Sequence, residues 1–137
     1  MANNRSEIRS AIVALLLGNT DADSNVYPNR ETKLFQSELP AILIYTLHEP
    51  SILESQNGMR YIRTLQLAVK IRVQSSETID DDLDALTAEV ETIIANNPSL
   101  NGTVLSTIQT LTEVLVDSTG EEDLATATLT FECKYIA

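Results

Sequence analysis

Residues 61–74 read YIRTLQLAVKIRVQ. Leu65, Leu67, Val69, Ile71 and Val73 fall on one side of an extended chain, and Thr64, Gln66, Lys70, Arg72 and Gln74 on the other. A period of two over this length predicts a strand with one covered face and one wetter face. The closing stretch, LATATLTFECKY at 124–135, repeats the pattern. Ala125, Ala127, Leu129, Phe131, Cys133 and Tyr135 share a side, and Thr126, Thr128, Thr130, Glu132 and Lys134 share the other. Two long alternating strands point to an open sheet with a single buried face, which needs a second layer to cover it.

Two segments have the helical period that such a layer requires. In 4–17, Ile8, Ala11, Ile12, Leu15 and Leu16 form one stripe; Asn4 or Ser6 can cap it and Gly18 can end it. In 79–97, Leu83, Leu86, Val90, Ile93 and Ile94 form another, capped by Thr78 or Asp80 and stopped at Asn97-Pro98. LPAILIYTL at 39–47 is a near-continuous apolar run, as expected of a strand buried on both faces, with Pro40 tolerated only at its start. Residues 103–117 are rich in Thr and Val with broken alternation, which suggests a bulge near Thr110–Thr112. Val26–Tyr27 has room for a short strand. Asn57-Gly58 signals a tight turn at the tip of an arm running from Glu49 to Met59. The expected architecture is α+β: a mostly antiparallel sheet of four to five strands, two main helices packed on one face, and a projecting β-hairpin arm.

The totals narrow the function. The chain has 137 residues, of which 43% are hydrophobic and 21% charged, and a length of this order fits one domain spanning 1–137. Its formal net charge of −11 argues against gripping nucleic-acid phosphates. The apolar runs at Ala11–Leu17 and Ala41–Tyr45 are too short to span a bilayer, so no membrane role is expected. Glu7 and Arg9 interrupt the N-terminal apolar stretch, which reads as a folded helix and not a leader. One cysteine excludes an intrachain disulfide.

Catalytic and metal chemistry find little support. Cys133 lies in the apolar row of the last strand, where burial makes a thiol inert. The acids Glu121, Glu122 and Asp123 precede that strand; Asp123 is ten residues from Cys133, or about 33 Å of extended chain, so the two cannot share a site within it. His48 beside Glu49 resembles a base with an orienting acid, but no nucleophile or oxyanion pocket accompanies it. Asp80, Asp81 and Asp84 are the best metal candidates, since hard cations favour clustered carboxylates. Acids at a helix start are also explained by capping and the helix dipole, and no EF-hand spacing is present. A metal-dependent enzyme built on His48 and Asp80–Asp84 is the least favoured reading. Ile52, Leu53 and Met59 on the arm suggest a partner surface, to which Arg30 and Glu49 are added as interface candidates.

VYPNRETKLFQSELPAILIYTLHE, with Tyr27, Arg30, Leu39-Pro40-Ala41 and Tyr45, resembles the tail terminator proteins of long-tailed phages, the minor tail protein U family of lambda-like phages. The acidic helix DDDLDALTAEVETII and the closing strand fit the same plan over nearly the whole chain. The resemblance implies a structural, non-enzymatic virion protein without a cofactor, made in the host cytoplasm. Such proteins form a hexameric ring at the head-proximal end of the tail tube. The ring stops tube polymerisation, contacts the tail tube protein and a head-completion or neck protein, and lets DNA pass through its bore without specific binding. A weak Mg2+ effect on assembly is left open by the acidic helix start. The alternative within the same setting is another phage neck or head-completion connector.

Overall fold

The computed structural model describes residues 4–20, 22–23, 25–28, 40–55, 60–74, 78–117 and 124–137, with the side chains of Glu54, Ser55 and Asp117 excepted. In chain order the elements are α1 (Asn4–Leu16), β1 (Val26–Tyr27), β2 (Ala41–His48), β3 (Ser51–Ser55), β4 (Arg60–Gln74), α2 (Ile79–Ala95), β5 (Ser106–Asp117) and β6 (Leu124–Ile136). One six-stranded sheet runs β1-β2-β4-β6-β5, and β3 joins it by pairing with β4. Only β1–β2 is parallel; every other pairing is antiparallel. The expected α+β class holds, and the arm strand brings the sheet to six.

β4 and β6 are its spine, paired without a register break from Ile62↔Ile136 to Gln74↔Leu124. Their alternation decides what each face meets. Leu65, Leu67, Val69, Ile71, Val73 and the Ala125–Tyr135 row enter one core with Ile42 and Ile44 of β2. Ile8, Ile12 and Leu16 of α1, and Leu83, Leu86, Val90 and Ile94 of α2, close over them. Each such Leu or Ile contributes about 1.5–3 kcal/mol over leaving it in water. The double burial expected for β2 is present, since Ala41 and Leu43 on the opposite face are also fully buried.

Local chemistry ends each helix as its residues dictate. After α1, Gly18 takes φ +74°, which a glycine adopts without strain. The Asn19 side chain donates to the Leu15 carbonyl at 2.9 Å. After α2, the Asn97 side chain donates to the Ile93 carbonyl at 2.7 Å, and Pro98 prevents continuation. Thr78 precedes α2 but does not cap it with its side chain; its hydroxyl donates instead to the Asp82 carboxylate at 3.2 Å. The irregularity expected near Thr110 is a register shift between Gln109 and Leu111, which leaves Thr110 as the extra residue.

Helix cover is uneven across the sheet. α1 packs on β1 and β2, and α2 packs on β4 and β6. Val114 and Val116 of β5 pair with Ala127 and Ala125 and so point to the helix side, yet they remain 58% and 45% exposed. The helix layer stops short of this strand.

Candidate assembly surfaces

β5 is the sheet edge beyond β6, and its outer backbone edge has no strand partner among the described residues. Ile108, Leu111 and Leu115 are exposed on one face, Val114 and Val116 on the other, and Leu105 just before the strand is 65% exposed. Soluble proteins protect long edges with lysines, prolines or covering elements. Leu105–Asp117 contains no lysine and no proline, and its one irregularity is the bulge at Thr110. An exposed apolar strip with a free hydrogen-bonding edge is a surface suited to a partner.

The arm forms the second surface. β3 and the start of β4 make the expected hairpin, with Ile52 opposite Ile62 and Leu53 opposite Tyr61. Ile62 in turn faces Ile136 of β6. Ile52, Ile62 and Ile136 thus form a cross-strand apolar row, with Ile52 69% and Ile136 37% exposed. Leu53 is also exposed. Arg30 and Met59 lie outside the described residues, as do Asn57-Gly58 and Glu121–Asp123.

Glu49 occupies the break between β2 and β3, and its side chain turns inward, 6% exposed. Arg5 of α1 donates to Oε1 at 3.2 Å and Arg63 of β4 donates to the same oxygen at 3.4 Å. The Tyr135 hydroxyl of β6 donates to Oε2. Burial works to raise the Glu49 pKa, but the hydrogen bonds from Tyr135, Arg5 and Arg63 outweigh it and hold the carboxyl below its ordinary range. Tyr135 is pushed up to about 12, first by burial and then by donating to Glu49. One carboxylate therefore ties α1, β4 and β6 to the base of the arm, and Glu49 acts through that joint.

The other candidates lie apart from these surfaces. His48 is exposed, and Asp80, Asp81 and Asp84 are exposed on the first turns of α2. Among the described residues no three His, Cys, Asp or Glu side chains converge as metal ligands. Cys133 is buried, and burial pushes its thiol up to about 11. Among the described residues no helix is long and apolar enough to cross a membrane.

These features define a class: a small α+β protein with exposed apolar residues along one sheet edge and on an arm. The chain belongs to the phage minor tail protein U family, which matches residues 3–135. It is a structural protein of the phage tail and a component of the virion. No curated protein matches it at a significant level. Among solved structures, a chain in the virion of a native gene transfer agent particle is similar, with a TM-score of 0.46, 6% identity, and coverage of 93% of this chain and 94% of that chain.

Sequence reading named Ile52 and Leu53, both of which are exposed on the arm. It missed Ile62 and Ile136, which join them only through strand register. It also missed the β5 strip, although the broken alternation of 103–117 was its signal: a strand apolar on both sides is either buried on both or waiting for a partner.

Proposed function

We propose that this chain is the tail terminator, a ring subunit that caps the head-proximal end of the tail tube. The observation that supports it is the pair of unlike surfaces at opposite sides of the sheet, the β5 edge and the arm. Two different patches on one subunit favour head-to-tail association, which closes into a ring when the rotation allows. In this reading six copies form the ring, one ring face meets the tail tube protein and the other the head-completion protein. DNA passes through the bore without being gripped, consistent with the net charge of −11.

Light scattering or native mass measurement over a concentration series, with and without Mg2+, tests the ring. A closed species of six copies is expected, with Mg2+ at most shifting the concentration at which it forms. A monomer at every concentration and in both conditions would overturn the ring. Binding to portal or adaptor proteins without binding to tail tubes would move the chain to a neck connector.

A further inference from the structure

The open face of the sheet, away from both helices, holds a trough of about 490 Å³. Strand register builds it. Thr126 and Thr128 supply a small polar floor on β6, while Tyr45 on β2 and Leu115 on β5 form the walls. Lys70 and Arg72 rise from β4 into the same space. Being two residues apart, they stand about 6.6 Å from each other along the strand.

This cation pair is unusual in so acidic a chain. Both side chains are half-buried, and neither forms an ion pair among the described residues. By contrast, Arg5 and Arg63 share Glu49. The Lys70 ammonium rests 5.9 Å from the Tyr45 ring centroid. Burial, and then the neighbouring Arg72, push its pKa down. Glu113 stands across Thr128 in the same row but pairs with neither cation.

The complementary surface lies on the helix layer. α2 carries Asp80, Asp81, Asp82, Asp84, Glu89 and Glu91 and no basic residue. Asp80 and Asp84 are one turn apart, with Cβ atoms about 5–6 Å from each other, close to the Lys70–Arg72 spacing. Trough and acidic turn sit on opposite layers, so one copy cannot join its own pair. We infer that the Lys70–Arg72 trough of one copy receives the acidic first turn of α2 from a second copy. The contact is heterologous: each copy keeps one trough and one turn free for the next, so the inference rests on the ring reading and gives it a charged contact.

Charge reversal tests it on the full chain. Lys70→Glu with Arg72→Glu should raise the concentration needed for self-association at least about tenfold, as should Asp80→Lys with Asp84→Lys. Mixing the two variants should restore assembly that neither shows alone. Circular dichroism checks folding, and Lys70→Gln with Arg72→Gln, expected to weaken assembly less, replaces the first variant if reversal unfolds it. Self-association unchanged by reversal, or not restored by mixing, overturns the inference while leaving the ring intact. So does loss of tail-tube binding alone, which would assign the trough to the tube. A wild-type chain that never self-associates removes the ring and the inference together.

Discussion

β6 and β5 are hydrogen-bonded neighbours of similar composition, yet their side chains have opposite fates. Leu129 of β6 is fully buried, whereas Val114 of β5, which points to the same side of the sheet, is 58% exposed. Local propensity does not distinguish them, since each carries three Thr and two Leu. The difference is what lies above: α2 covers β6 and ends before β5. Strand chemistry therefore sets the sheet, and helix reach divides its helix-side face into a buried part and a part that stays exposed.

Substitution should separate the two roles. Leu129→Ala is expected to cost about 2–5 kcal/mol in chemical denaturation, because it opens a cavity in the core. Leu115→Asp should change monomer stability by no more than about 0.5 kcal/mol but abolish assembly. Comparable unfolding by both would erase the distinction. Leu53→Asp on the arm should behave like Leu115→Asp; unchanged assembly would remove the arm from the interface.

Glu49 sharpens the comparison at the arm's base. Glu49→Gln should cost about 1–3 kcal/mol, since it weakens charge-assisted hydrogen bonds to a buried group. Its folded pKa is depressed, so its contribution is full above the ordinary carboxylate range and is lost as pH falls through the folded value. The stability gap between wild type and Glu49→Gln should therefore narrow in acid; a gap constant from neutral to strongly acidic pH would contradict the joint.

Cys133 reports on the covered strand from the alkaline side. Its pKa rises from an ordinary 9.0 to about 11 on folding. A raised acid pKa gives stability that is present below pH 9 and lost as pH rises toward 11. At pH 8 a thiol reagent should label Cys133 only as the chain unfolds, and rapid labelling of the native protein would place β6 outside the core. The smallest effect belongs to Asp81→Ala, about 0.3–1 kcal/mol from the lost dipole interaction at an exposed helix start. A much larger loss, or stoichiometric metal in the purified protein, would revive a metal role for Asp80, Asp81 and Asp84.

The legible part of the fold was the part with strict periodicity. The alternation of 61–74 and 124–135 and the stripes of both helices name most of the core, because burial on one face imposes a period. The bulge at Thr110 was visible as a phase slip. The exposed β5 strip was less legible, since exposure of Val114 and Val116 depends on where α2 ends in space. Glu49 read as an arm surface residue because its partners Arg5, Arg63 and Tyr135 are remote in the chain. Register likewise brings together Ile52, Ile62 and Ile136, which no local pattern connects.

The most direct measurement is electron microscopy of tail tube protein polymerised with and without this chain. A terminator should bind one end of each tube and hold growth at a defined length, while Leu115→Asp should fail to do so. Tubes of uncontrolled length in the presence of the assembled wild-type protein would contradict that role.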